Sequence, residues 1–368
     1  MSTRLVDPIP ESYANANTND LEILFEKKGR DEIRDKWEPR EQPKLGIPGE
    51  SCKTELFFGF FFDGTRNNYR KDEGPGTLSN IGRLYDCYPG QSVPGVLPAN
   101  TNWSYKPERY THFFRVYVPG VGTEFNEVGD AGKGAQATMG AAIGHLGGAR
   151  VVWALLQAIN NVHRYFLKEP LVGNAEAKRL ANEIDLDYKK LRETRPGKFW
   201  EDFLRHKDAK ELATRKSFEE LLQRLHHAVT PHWYDDLLGR PKKIDPGIVK
   251  RINISIFGFS RGATEARAFA NWLVALCKLD ALLRGKGETM TLGGFPVQFD
   301  FLGLLDTVAS VGGANTFGNQ WGLGFVDGHG EWSDAEVSLR IPERIKTLHL
   351  VAAHEIRRSF PLDSIAVH

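Results

Sequence analysis

Residues 251–274 read as a strand, a sharp turn and a helix, with a serine at the turn. Arg251-Ile252-Asn253-Ile254-Ser255-Ile256-Phe257 alternates and is rich in β-branched residues, which is the pattern of a strand. Gly258-Phe259-Ser260-Arg261-Gly262 follows. In the Ala-rich run after it, Ala263, Ala266, Ala270, Val274 and Cys277 fall on one helical face. A strand that turns directly into a helix leaves no room for a Cβ two residues before or two after the turn, so both glycines have a steric reason. The helix N-terminus sets N–H donors and the positive end of its dipole beside the hydroxyl. G-x-S-x-G fixes only three residues and arises readily by chance. Its context makes Ser260 a candidate nucleophile, against the plainer alternative of a Gly-Ser turn joining a strand to a helix.

The rest of the chain supplies strands of the same kind. Residues 55–62 are almost continuously apolar and end in the polar cluster Asp63-Gly64-Thr65-Arg66-Asn67-Asn68. A run apolar on both faces predicts a central parallel strand covered by helices on each side. Residues 80–88 predict a short helix. Residues 112–118 predict a second strand, entering Pro119-Gly120-Val121-Gly122-Thr123. Residues 149–166 predict a helix with an apolar stripe at Val152, Leu155, Leu156, Ile159 and Val162. Residues 297–305 and 347–353 predict two more strands. The expected fold class is α/β, with a mostly parallel, doubly wound sheet. In such sheets chemistry gathers at the carboxyl ends of the strands. Asp63-Gly64, Pro119-Gly120, Ser260 and Asp306 all stand at such ends.

With 368 residues and 41% hydrophobic composition, the chain suffices for one large domain or one with a sizeable insertion. Residues 1–50 are polar and Pro-rich and predict an N-terminal arm, leaving 51–368 for the α/β domain. Residues 175–236 are dominated by charge with leucines at helical intervals. They predict a solvated helical insertion, placed where a cap or lid would sit. A net charge of +1 gives no bulk case for a nucleic-acid partner. Three widely spaced cysteines show neither metal spacing nor a disulfide framework, which fits a reducing cytoplasm. The polar residues 1–20 carry no apolar segment of a signal peptide. No run approaches the roughly 18 apolar residues that span a bilayer.

A serine hydroxyl is a poor nucleophile until a base takes its proton, and that base is usually a histidine held by a buried carboxylate. Asp306 ends an apolar strand and lies downstream of Ser260, in the chain order Ser, then Asp, then His. It is the candidate triad acid. The alternative is a turn cap through Thr307 or Ser310. An oxyanion needs two backbone donors. The Arg261 amide is one candidate, and the Asp63-Gly64-Thr65 turn, through Gly64, is the other. Asp63 itself either braces that loop against an arginine such as Arg267 or caps the turn. Downstream histidines are His329, His349, His354 and His368. His354 stands at a strand end and is the candidate base. His349, inside the strand, reads as a satisfied core histidine.

These pieces resemble the α/β-hydrolase domain first catalogued as a domain of unknown function and later recognised in type VI secretion phospholipase effectors. The resemblance rests on Phe61-Phe62-Asp63-Gly64-Thr65-Arg66-Asn67-Asn68, Tyr117-Val118-Pro119-Gly120-Val121-Gly122-Thr123 and Gly258-Phe259-Ser260-Arg261-Gly262-Ala263. Leu304-Leu305-Asp306-Thr307-Val308-Ala309-Ser310-Val311-Gly312 and residues 349–360 complete it, in the family's order. It implies Ser260 as nucleophile, Asp306 as acid and hydrolysis of a phospholipid carboxylic ester at a membrane surface, a chemistry that requires no cofactor. It also implies an antibacterial effector lacking a signal peptide, a type VI spike or adaptor for delivery into a target cell, and a cognate immunity protein. In similar proteins the catalytic histidine lies in a later Pro-Gly-x-His-Ser-Asp-x-Gly-Gly segment. This sequence has no such segment before His368, so the expectation is a domain incomplete at its C-terminus. An esterase or acyltransferase on a soluble substrate, or an impaired binding module, are the alternatives.

Overall fold

A computed structural model describes residues 53–97, 110–132, 140–184, 186, 213–287, 289–308, 339–343 and 345–352. The central sheet contains β1 (Lys53–Phe62), β2 (Phe113–Val118), β7 (Ile248–Phe259), β9 (Phe295–Leu305) and β10 (Thr347–Leu350). Their order is β10-β9-β7-β1-β2, and every pairing along it is parallel. The short β8 (Thr291–Leu292) folds back antiparallel onto β9. Two small hairpins stand apart from the sheet, β3 (Glu124–Phe125) with β4 (Asp130–Ala131), and β5 (Tyr234–Asp235) with β6 (Arg240–Pro241). The helices are α1 (Tyr69–Asp72), α2 (Asn80–Cys87), α3 (Gly140–Leu167), α4 (Asn174–Glu183), α5 (Ala213–Val229) and α6 (Arg261–Leu283). A mostly parallel sheet with helices on both faces makes this an α/β fold of the α/β-hydrolase-like kind.

The phenylalanine run explains why β1 lies inside. Alternate side chains of a strand point to opposite faces. Phe60 and Phe62 meet Phe269 of α6 at 4.5 and 5.1 Å between ring centroids. Phe61 points the other way, stacking on Phe257 at 5.2 Å and meeting Tyr85 of α2 edge-on at 5.6 Å. All three rings are inaccessible to solvent. Only a strand with neighbours on both edges and helices on both faces hides so much aromatic surface, about 2 kcal/mol or more per ring.

Helix α3 begins at Gly140 rather than at residue 149, where the apolar stripe begins. Its buried Arg150 donates through Nε to the Pro119 carbonyl at 2.9 Å and through Nη2 to Asp130 at 2.9 Å. That pair fixes the loop after β2. In the segment expected as a solvated insertion, the described helices are packed. α4 buries Ala177, Leu180 and Ala181 against α3, while α5 buries Phe218, Leu221, Leu222 and Leu225 and packs on α3 and α6. Asp280 of α6, wholly buried, ties α5 to the turn between β8 and β9. It accepts from His226 Nε2 at 2.8 Å, Thr291 Oγ1 at 2.6 Å and the Gly293 and Gly294 amides at 2.9 and 3.0 Å. The expected arm, residues 1–50, and the middle of the insertion lie outside the described residues.

Candidate active site

The chain leaves β7 at Phe259 and enters α6 at Arg261, with Ser260 alone between them. Ser260 stands at φ 55° and ψ −123°, a backbone region that L-residues with a Cβ rarely occupy. Such strain persists only where the surroundings enforce it. Here the Ser260 N–H donates to the Leu305 carbonyl at 2.8 Å, and the Ser260 carbonyl accepts from Ala263 at 3.0 Å and Val308 at 3.3 Å. The flanking glycines are fixed by contact. A Cβ on Gly258 would lie 2.6 Å from Ala263 Cα. A Cβ on Gly262 would lie 2.3 Å from the Asp63 carbonyl oxygen. The first turn of α6 therefore rests directly on the end of β1.

The same bonds draw the end of β9 to the turn. Thr264 Oγ1 donates to the Val308 carbonyl at 2.7 Å. Asp306 follows Leu305, whose carbonyl receives the Ser260 amide, so the structure brings Ser260 and Asp306 to adjoining strand ends. Asp306 has a positive φ of 45°, donates its N–H to Leu350 at 2.8 Å and accepts from the Ala352 amide on Oδ1 at 2.5 Å. His349 is half-buried, and its Nε2 accepts from the Thr307 amide at 3.2 Å. That bond requires an unprotonated Nε2. His354, the candidate base, lies outside the described residues, as do His329 and His368.

The two expected oxyanion donors fare differently. The Arg261 amide opens α6 and has no acceptor among the described residues, as the first N–H of a helix should. The Gly64 amide is already engaged. It donates to Asp63 Oδ1 at 2.7 Å, so the expectation that it faces the reacting carbonyl is corrected. The next amide, Thr65, has no acceptor among the described residues, and Thr65 Oγ1 is buried without a partner. Asp63 resolves as a turn brace. Besides Gly64 it accepts from Ser79 Oγ at 2.7 Å, Asn67 Nδ2 at 3.3 Å and Tyr117 Oη at 2.6 Å. Burial pushes its carboxyl above the usual range, and these four donors pull it back. No arginine joins in among the described residues, and Arg267 Nε donates to the Leu339 carbonyl at 2.6 Å. Backbone touches backbone here, since a Cβ on Gly120 would lie 1.8 Å from the Gly64 oxygen.

Glu265, one turn into α6, escaped the sequence reading. It is wholly buried, and neither carboxylate oxygen has a hydrogen-bond partner among the described residues. Burial raises its pKa from 4.5 to about 8, against the pull of the Arg150 and Arg261 charges. Its only signal in the sequence is an acid one turn into an Ala-rich helix. Between roughly pH 4.5 and 8 the unfolded chain gives up this proton while the native one keeps it. The native state is therefore favoured below pH 4.5, and that advantage is lost as pH rises to about 8. Glu265→Met, which keeps the volume without the charge, should gain about 3 kcal/mol more stability at pH 8 than at pH 5. Denaturant midpoints at the two pH values check this, and equal gains would sink it. Among the described residues no cluster of three His, Cys, Asp or Glu could hold a metal ion.

Fold and turn together define an α/β hydrolase-like protein with a strand–serine–helix junction. No protein-family model matches the sequence, and no curated protein does either. Among solved structures, the chain is similar to an uncharacterized protein from Pseudomonas aeruginosa, with 28% identity and a TM-score of 0.56. A second is the Tle1 effector bound to the VgrG spike from the type 6 secretion system, with 18% identity and a TM-score of 0.32. Each match covers 85% of this chain but only 37% of the first solved chain and 47% of the second. Among the described residues no helix is long and apolar enough to cross a membrane.

Proposed function

We propose that this chain is the catalytic part of a serine ester hydrolase that cleaves phospholipid carboxylic esters. The observation that carries the reading is Ser260, a non-glycine residue held at φ 55° on the N-terminus of α6. A structural turn at that position would be filled at lower cost by glycine. In the proposed reaction Ser260 Oγ attacks the acyl carbon and expels the lysolipid alkoxide, which takes up a proton from the base. The Arg261 amide, with the Thr65 amide in place of Gly64, holds the oxyanion. A histidine, with His354 as candidate, accepts the serine proton, and Asp306 orients it. Water then releases the fatty acid by the same route. The five motifs in family order support an antibacterial effector delivered by a type VI spike and neutralised by an immunity protein.

The test is fatty-acid and lysolipid release from vesicles of mixed bacterial lipids, for the chain and for Ser260→Ala. Release that disappears in the variant supports the proposal. Equal release from both, or none from either, overturns it. A soluble p-nitrophenyl ester run in parallel separates lipid from soluble substrates by relative rate.

A further inference from the structure

The Asp63 carboxylate is gripped unevenly. Its Oδ1 takes the Gly64 amide at 2.7 Å, Ser79 Oγ at 2.7 Å and Asn67 Nδ2 at 3.3 Å. Its Oδ2 takes only the Tyr117 phenol, at 2.6 Å, among the described residues. Tyr117 lies on β2 and is itself fixed, since its oxygen accepts from the Tyr69 amide of α1 at 2.9 Å. Asp63 and Tyr117 are each 2% exposed, so solvent does not stand in for a lost partner. Burial and the Asp63 charge push the phenol's pKa well above its ordinary value, which keeps it protonated and a donor. The Asp63 backbone is pinned as well. Its N–H donates to the Val118 carbonyl at 3.0 Å, and the first turn of α6 rests on its carbonyl through Gly262. The side chains that grip the carboxylate therefore set its orientation, and Tyr117 holds the far oxygen.

We propose that Tyr117 is a positioning residue for hydrolysis. Acting through Asp63, it turns the Gly64 amide away from the reacting carbonyl and leaves the Thr65 amide as the second oxyanion donor. With the phenol on Oδ2, Oδ1 faces the turn and captures the Gly64 amide. Without the hydroxyl, Oδ2 and the Tyr69 amide are both buried and lose their partner. The carboxylate then rotates toward other donors or takes up a proton, because an unpaired buried charge is costly. Either change weakens the bond to Gly64 and loosens the amide that follows. An oxyanion donor works only if it is fixed before the charge develops. It acts on the tetrahedral intermediate, so displacing it costs turnover rather than substrate binding. The inference rests on the proposed function for the reaction itself and adds the residue that orients its turn.

The test compares Tyr117→Phe, Ser79→Ala and, as a control, Tyr69→Phe. The first removes the donor on Oδ2, and the second removes one of those on Oδ1. The control removes a phenol that bonds Asp86 at 2.9 Å and Glu73 at 3.3 Å and does not touch Asp63. In vesicle hydrolysis, kcat should fall about 100-fold in Tyr117→Phe and about 10-fold in Ser79→Ala, with KM within about 3-fold of wild type. Tyr69→Phe should keep both constants within about 3-fold. Hydrogen exchange of the Gly64 amide, followed by NMR with isotope-labelled glycine, should quicken at least about 10-fold in the first two variants and not in the control. If Tyr117→Phe does not fold, Ser79→Ala decides by the same two readouts. Faster exchange with unchanged kcat would make the phenol a structural tie alone and overturn the proposal. So would unchanged exchange, a loss confined to KM, or an equal loss in Tyr69→Phe. A wild type that hydrolyses nothing would sink the hydrolase and with it the catalytic role. Faster Gly64 exchange in Tyr117→Phe would then show that the grip on the turn is real, so the two failures are told apart.

Discussion

Ser260→Gly should melt roughly 2–4 °C above the wild type while losing ester hydrolysis by about 10⁴-fold or more. The two effects have separate causes. At φ 55° and ψ −123° a side chain costs on the order of 1–3 kcal/mol of backbone strain, which glycine relieves. Glycine returns about 0.5–1 kcal/mol of this through the extra freedom of the unfolded chain, leaving a net gain near 1 kcal/mol. Ser260→Ala keeps the Cβ and so keeps the strain. It should be equally inactive, with an unchanged melting temperature. The contrast separates a serine kept for chemistry from one kept for the turn. In the first case the fold is destabilised by the residue that gives it activity, and both substitutions silence it. A Ser260→Gly protein that hydrolyses esters at the wild-type rate would remove the nucleophile assignment. One that melts below wild type would remove the strain argument.

The parts of this architecture that the sequence made legible are those decided within a few residues. The junction from β7 to α6 was readable because Gly258 and Gly262 answer a steric demand that the turn itself sets. The central place of β1 was readable because Phe60, Phe61 and Phe62 need cover on both faces. The Gly64 amide was not readable. Its direction depends on whether the Asp63 carboxylate turns back on its own loop, and that is settled by Ser79 and Tyr117, distant in sequence. Glu265 was invisible for a related reason, since an acid on a helix normally faces water. It is buried only because α6 is covered along almost its whole length. The hairpins β3–β4 and β5–β6 have strands of two residues, too short for any alternation to register. Four strand ends were expected to gather the chemistry. Those of β7 and β9 do adjoin through Ser260 and Leu305, and those of β1 and β2 through Gly64 and Gly120.

Gly262→Ala should cost at least about 4 kcal/mol of stability, far more than the roughly 1 kcal/mol median of single substitutions. The added methyl would lie 2.3 Å from the Asp63 oxygen and 2.5 Å from the Phe62 oxygen. Both are backbone atoms, so no side-chain rotation relieves the contact. Neither element can retreat. β1 is paired on one edge with β2 and on the other with β7. α6 is held at its start by the bond from Ser260 to Leu305 and by Thr264 on Val308. To admit the methyl, α6 must lift from β1, which strains the Ser260 turn and opens the packing of Phe269 on Phe60. Gly74→Ala is the control, because nothing lies within 4 Å of its added Cβ. It should stay within about 0.5 kcal/mol of wild type. Urea midpoints for the two variants decide the matter. A Gly262→Ala protein as stable as Gly74→Ala would mean that α6 is free to step away from the sheet. The strained serine would then lose the contact that holds it in place.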